Sequence, residues 1–290
     1  MNRKVAIGAV QFGLDYGVAN VSGQTAFCEV CEILNFATQN QVDTLDTAIA
    51  YGESEAILGK VGVGDWNIIT KLPSVPDACV DVNEWVSEQF CNSLLRLKQD
   101  KVYGLLIHRP SQLLEDYGDE LYGSLRKLKE HGSIEKLGVS IYSPDDLTPV
   151  IEKYDIDLVQ APINLFDRSM ESTGIGKQLQ EKGIEVHARS IFLQGLLLMK
   201  PGSRPQKFSK WNLAFEAFDK WCAINKKTPL EAALKYVDQL SFVDKLIVGV
   251  DSKVHLEQIL AALNSSGVDM PVFFDHEDTR LINPSRWSEL

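Results

Sequence analysis

Trp66-Asn-Ile-Ile-Thr-Lys71-Leu72 and Val102-Tyr-Gly-Leu-Leu-Ile107-His108 are two short apolar runs, and the segment between them carries Trp85, Phe90, Leu94, Leu95 and Leu97 at helical spacing. Runs of this length, rich in β-branched residues, read as strands buried on both faces. A strand, a helix and another strand in succession make a parallel βαβ unit. Outward from that unit the same alternation recurs, with further runs at Lys4–Gln11, Asp43–Asp46, Lys136–Tyr142, Asp157–Asn164, Glu185–Ile191 and Lys245–Val250. Ala26, Val30, Ile33, Leu34 and Ala37 supply another helical stripe. Eight strand–helix alternations without a long linker predict an α/β fold, a (β/α)8 TIM barrel forming a single domain over residues 1–290.

Helix punctuation agrees with that segmentation. Ser143-Pro144-Asp-Asp offers an N-cap, proline at the first helical position and acids at the positive end of the dipole. Thr228-Pro229-Leu-Glu231 has capping-box spacing, while Gly132 and Gly183 stand where helices should end. Residues 192–243 are too many for one connection. They read as a long insertion after strand seven that covers the barrel mouth, and residues 273–290 read as a polar tail.

A net charge of −11 and a pI near 5.0 give a field that repels nucleic acid and anionic membranes. No run of about 18 apolar residues offers a membrane span. The five cysteines follow no disulfide framework, so a reducing cytoplasm is the expected location. Cys28 and Cys31 share one helix face and read as small buried hydrophobes, and no metal-ligand spacing is present. His187, inside strand seven, reads as a structural residue.

Three of the runs stop on polar residues of different kinds: Asp46, Lys71 and His108. Tyr51 follows the first by five positions. Parallel neighbouring strands would set a carboxylate, an ammonium, an imidazole and a phenol around one pocket. A phenol of pKa ~10 is a poor donor at neutral pH, and a nearby ammonium lowers that value. Such a set suits proton transfer at a carbonyl.

Asp46-Thr-Ala-Ile-Ala-Tyr51-Gly52-Glu-Ser54-Glu55, Thr70-Lys71 and Leu106-Ile107-His108, with the opening Gly8-Ala-Val-Gln-Phe12-Gly13, resemble the aldo-keto reductase superfamily across almost the entire chain. The resemblance implies an NAD(P)H-dependent oxidoreductase that reduces an aldehyde or ketone to an alcohol. Tyr51 would be the general acid, Lys71 and Asp46 would tune it, and His108 would position the carbonyl. Hydride would come from a reduced nicotinamide, since no side chain donates one. NADPH (NADP) is favoured over NADH by family habit.

The implied cofactor contacts are Ser140, Gln160, Arg189, Ser190, Gly249, Ser252, Lys253, His255 and Gln258, with Asn164 completing the Val-Gln-x-x-x-Asn pattern after strand six. Two positions depart from the family pattern. Ile141 stands where an Asn follows the Ser, and Arg189 stands where an aromatic stacks on the nicotinamide. Asp251 opposes a 2′-phosphate in the clamp after strand eight.

Phe12, Tyr16 and Arg109 are the expected substrate contacts, with Arg168 a further cation near the rim. The run Arg189-Ser-Ile-Phe-Leu-Gln-Gly-Leu-Leu resembles relatives in bacterial polysaccharide pathways and implies a small, polar, sugar-derived carbonyl partner. The competing reading is a non-catalytic barrel that binds the nucleotide as a redox sensor.

Overall fold

Eight parallel strands close into one barrel in the computed structural model, which describes residues 4–265 and 278–290. The strands are β1 Val5–Gly8, β2 Thr44–Asp46, β3 Asn67–Leu72, β4 Val102–Ile107, β5 Ile134–Ser140, β6 Leu158–Pro162, β7 Glu185–Arg189 and β8 Lys245–Gly249. Sequence order is spatial order, and β8 pairs with β1. The connections hold α1 Val10–Gly13 and α2 Phe27–Gln39 after β1, α3 Ser54–Val61 after β2, α4 Val82–Leu97 after β3 and α5 Gly118–Glu130 after β4. They continue with α6 Pro144–Lys153, then α7 Ser169–Ser172 and α8 Ile175–Glu181, then α9 Asn212–Ile224 and α10 Pro229–Gln239, and α11 Lys253–Leu263 after β8.

Strand periodicity is what raises the polar residues to the rim. Side chains alternate between the lumen and the surrounding helices, so positions two apart share a side. Ile69, Leu106 and Leu158 form an apolar plug distinct from the main core. Two residues further on stand Lys71, His108 and Gln160, one layer higher on the same side. The other face of each strand packs against helices, as α2 does with Val30, Ile33, Leu34 and Ala37. Each such side chain contributes roughly 1.5–3 kcal/mol when fully buried.

The caps form as expected: Ser143–Asp146 and Thr228–Glu231 are both capping boxes. Gly132 and Gly183 adopt φ of 74° and 70° where α5 and α8 end.

Four expectations need correction. The first run stops at Gly8, and Val10–Gly13 coil into a short helical turn that lays Gly13 against the Tyr51 turn. The buried stripe of α4 is Val82, Val86, Phe90, Ser93 and Leu97, which leaves Leu95 74% exposed on the opposite side. Cys28 is exposed and Cys31 half-buried, so neither is a core residue. Residues 278–290 are no loose tail. They form α12 Thr279–Ile282 and a closing 3-10 turn, and Leu281 and Trp287 are buried because both are apolar. Trp287 sits edge-on to Phe208, and Lys207 Nζ donates to its carbonyl oxygen. The remainder of the expected tail, 273–277, lies outside the described residues.

Within the insertion, the Arg204 guanidinium forms a two-pronged pair with Asp219 at 2.7 Å. No helix among the described residues is long and apolar enough to cross a membrane.

Candidate active site

A cavity of about 600 Å³ opens at the C-terminal ends of the strands, where barrels of this kind carry their chemistry. Asp46, Tyr51 and His108 line its floor. Lys71 lies behind them with no exposed surface. Its Nζ donates to Asp46 Oδ1 and to the Thr47 carbonyl oxygen, both at 2.7 Å, and stands 5.0 Å from the centre of the Tyr51 ring. Tyr51 and His108 meet edge to face with ring centres 6.1 Å apart. The four residues expected to converge do so.

The turn that presents Tyr51 is fixed by its own neighbours. Tyr51 N–H donates to the Ala48 carbonyl oxygen, and the Tyr51 carbonyl oxygen accepts from Ser54 N–H. Ser54 Oγ, fully buried, donates to the Ala9 carbonyl oxygen and lies 3.0 Å from Thr47 Oγ1. Glu55, also buried, accepts from Thr70 and Ser93 hydroxyls and pairs with Arg96, which ties α3 to β3 and α4. Gly13 and Gly52 let β1's loop touch this turn. A Cβ at Gly13 would lie 2.0 Å from the Tyr51 carbonyl oxygen, and one at Gly52 would lie 2.5 Å from that of Gly13.

Burial, the Asp46 charge and Tyr142 raise the Tyr51 phenol above its ordinary pKa, with Arg189 opposing them. Burial outweighs the lowering expected from Lys71, whose ammonium gives its hydrogen bonds to Asp46 and Thr47. The proton therefore stays on Tyr51. Burial lowers Lys71, and the hydrogen-bonded Asp46 carboxylate opposes that fall. His108 is pushed down to about 4 by burial and by the Lys71 and Arg189 charges, so it is a neutral imidazole at pH 7.

The expected cofactor residues divide. Ser140, Arg189, Ser190, Gly249, His255 and Gln258 line the cavity. Gln160 is turned inward instead: its Nε2 donates to Asp46 Oδ1 at 2.7 Å, because a buried carboxylate draws every available donor. Asn164 caps its own loop by accepting from Phe166 and Asp167 amides. Ser252 and Lys253 are also off the cavity. Ser252 Oγ accepts from His255 N–H as the N-cap of α11, and Lys253 Nζ reaches back to Glu257 at 3.5 Å.

Of the expected substrate contacts, Tyr16 lines the cavity. Phe12 does not, because it is fully buried in the core behind the α1 turn. Arg109 is exposed at the start of the Pro110–Leu114 turn and does not line the cavity. Arg168 is 6% exposed and lies over the Tyr236 ring, away from the mouth.

Three lining residues had no sequence signal. Gln11 packs its side chain onto Gly249, where a Cβ would come within 2.3 Å of Gln11 Nε2. Tyr142 stacks with the Arg189 guanidinium at 4.6 Å. Gln194 Nε2 donates to the Tyr16 hydroxyl at 3.0 Å and so joins the first and seventh loops across the mouth. The seventh loop reaches that position by an unusual backbone. Ser190, Leu193, Gln194 and Gly195 have φ of 57°, 47°, 51° and 86°, a conformation L residues rarely adopt. Phe192, Leu198, Met199 and Leu230 of the insertion line the cavity, while α9 packs outside it.

The elongated cavity fits a dinucleotide on two observations. Gly249, with no side chain, lines the cavity where the movable Gln11 side chain rests on it, and Asp251 Oδ1 is a buried acceptor with no hydrogen-bond partner among the described residues. Among those residues no cluster of His, Cys, Asp and Glu is arranged to hold a metal ion.

An eight-stranded parallel barrel sets a buried Lys–Asp pair beneath a tyrosine and a histidine, groups suited to proton transfer at a carbonyl. Residues 4–270 match the sequence model of the Aldo/keto reductase family, and the chain belongs to that family. It is 26% identical over 284 residues to the Uncharacterized oxidoreductase YqkF of Bacillus subtilis (strain 168), covering 91% of this chain and 92% of that one. It is also 25% identical over 159 residues to the NADH-specific methylglyoxal reductase of Escherichia coli (strain K12), covering 50% of this chain and 48% of that one. Among solved structures, the holo form of aldo-keto reductase AKR11C1 from Bacillus halodurans superposes with a TM-score of 0.75 at 18% identity, over 92% of this chain and 88% of that one. The glycerol dehydrogenase AKR11B4 from Gluconobacter oxydans gives 0.70 at 22% identity, over 92% and 88%. Membership makes the protein an enzyme and implies carbonyl reduction with a nicotinamide cofactor.

Proposed function

We propose that the enzyme reduces a polar aldehyde or ketone, possessing hydroxyl groups of the kind a sugar carries, with Tyr51 as the general acid. The observation that carries this reading is the Lys71–Asp46 ion pair, buried beneath Tyr51 and His108 on one cavity floor. The residues placed to hold a nicotinamide nucleotide are Ser140, Arg189, Ser190, Gly249, His255 and Gln258. When bound, the reduced nicotinamide supplies the hydride.

Neutral His108 donates a hydrogen bond to the carbonyl oxygen and orients it toward Tyr51. As negative charge grows on that oxygen, the Tyr51 hydroxyl gives up its proton to it. A phenol held above its ordinary pKa keeps that proton until an alkoxide, a far stronger base, is formed. The phenolate left behind is stabilised by the Lys71 ammonium, which Asp46 and the Thr47 carbonyl hold in place. Tyr16, Asn20, Tyr142 and Gln194 give the cavity hydrogen-bonding side chains beside the apolar Phe192, Leu198 and Met199, which supports a substrate with hydroxyl groups. A sensor barrel has no use for an acid at this point, and the catalytic reading is preferred for that reason.

The test is an assay of NADH and NADPH oxidation against a panel of aldoses, ketoses and simple aldehydes. Tyr51→Phe should abolish turnover and leave nucleotide binding within about twofold, since one hydroxyl is removed from the proton path alone. Turnover surviving in Tyr51→Phe would overturn the assignment. The choice between NADPH, favoured by family habit, and NADH turns on α11.

A further inference from the structure

The far end of the cavity, at the start of α11, carries one carboxylate and no lysine or arginine among its described lining residues. It is lined there by Asp251, His255, Gln258 and Ile259. Arg189 is the one Lys or Arg among the described lining residues, and it lies over the Tyr142 ring. A 2′-phosphate brings a charge between about −1.5 and −2 and needs cations or free amides to meet it. Two of the amides and the ammonium nearest this point are already engaged. The Lys253 amide, first in α11, already donates to the carboxylate of Glu29 at 2.7 Å, and the His255 amide donates to Ser252 Oγ at 3.2 Å. The Lys253 ammonium faces Glu257 and the Phe36 ring.

Asp251 has the opposite need. Its Oδ1 is buried without a donor among the described residues, and its Oδ2 lies 3.9 Å from His255 Nδ1. A buried carboxylate oxygen left unpaired is costly, and a pair of hydroxyl donors relieves it. The vicinal hydroxyls of an unsubstituted ribose are such donors, and an acid at that point hydrogen-bonds a 2′-hydroxyl and repels a 2′-phosphate.

We propose that Asp251, with Glu29 on the α11 amide, selects a dinucleotide whose adenosine ribose carries no phosphate, so that the enzyme works with NADH. This rests on the carbonyl-reductase reading and replaces the NADPH expectation drawn from family habit. Burial raises the Asp251 carboxyl and His255 opposes the rise; a donor on Oδ1 adds to the His255 side of that balance.

The test is fluorescence titration of the full-length protein with NADH and NADPH, repeated with 5′-AMP and 2′,5′-ADP as displacing probes, together with circular dichroism of each variant. NADH should bind at least about tenfold more tightly than NADPH, the size of one like-charge repulsion across a partly solvated gap. 5′-AMP should displace better than 2′,5′-ADP. Asp251→Asn should narrow the NADH preference several-fold and Asp251→Arg should reverse it, with Glu29→Gln adding to either. NADPH binding as tightly as NADH in the wild type would overturn the inference and leave the reductase reading standing. A preference unmoved by both Asp251 variants, in folded protein, would do the same. Binding of neither dinucleotide would bring down both.

Discussion

Arg189 Nη2 donates to the carbonyl oxygen of Ile141 across 2.8 Å. The two positions that depart from the family pattern are therefore in contact, at the C-terminal ends of β5 and β7 with β6 between them. Arg189 also reaches Ser190 Oγ at 3.2 Å and lies flat on Tyr142. A guanidinium held by a carbonyl, a hydroxyl and an aromatic face is a fixed charge, and its field reaches Tyr51, Lys71 and His108 alike.

Removing that field should be visible in the pH profile. Arg189 lowers both the phenol and the imidazole, so Arg189→Met should raise the pKa of each by about half a unit. The acid limb of kcat/KM, set by protonation of His108, should move to higher pH by that amount. An unshifted limb would mean the charge is not felt at the reacting groups.

His108 links stability to pH with a definite sign. Its native pKa of about 4 lies below the ordinary imidazole value of 6.5, so the unfolded chain takes up a proton first as pH falls. The stability it contributes is complete above pH 6.5 and is lost between pH 6.5 and 4, on the order of 2 kcal/mol. His108→Gln should flatten the denaturation midpoint over that window.

Lys71→Met leaves the Asp46 carboxylate buried with Gln160 as its remaining donor. Breaking one side of a buried pair costs about 3–5 kcal/mol. Turnover should fall by two orders of magnitude or more through loss of the phenolate's counter-charge. Urea denaturation and single-turnover kinetics separate the two effects. The double variant Lys71→Met with Asp46→Leu should recover stability without recovering rate.

Gly13→Ala tests the contact that seats Tyr51. The added methyl would overlap the Tyr51 carbonyl oxygen and the Ser54 backbone, neither of which is a flexible side-chain end. A loss of about 2 kcal/mol and at least tenfold in kcat is expected, since reacting groups displaced by an ångström lose much of their rate.

At the opposite end of the barrel, Glu185 accepts from Tyr103 at 2.6 Å, pairs with Lys136 at 3.2 Å and lies 3.4 Å from His187 Nε2. These donors hold its pKa to about 2, against burial that raises it. Its contribution is whole above about pH 4.5 and is lost as pH falls toward 2. Glu185→Gln should cost on the order of 2 kcal/mol at pH 7 and nothing near pH 2, by thermal unfolding.

The residues quoted at the outset determined the fold by themselves. Buried parallel strands must be apolar on both faces, and their helices must be amphipathic. Ile69 and Leu106 fill the lumen, while Ile68, Leu105 and Ile107 join the outer core that Val86, Phe90 and Leu97 of α4 also enter. Asp46, Lys71 and His108 were legible as site residues for the same reason: a charge at the end of an apolar run needs a partner, and parallel strands share one end.

Only the tertiary structure decided the rest. Gln160 turning to Asp46, Phe12 sinking into the core, Lys253 folding back on Glu257 and Gln194 clasping Tyr16 depend on rotamers and on loops far apart in the chain. Glu29 and the α11 amide are 224 residues apart, and no local pattern in the sequence foretells that an acid from the first helical layer will cap the last. Local propensity fixes which segments become strands and helices. Which donor meets which acceptor at the rim is fixed only once the barrel closes and every buried polar atom must find a partner.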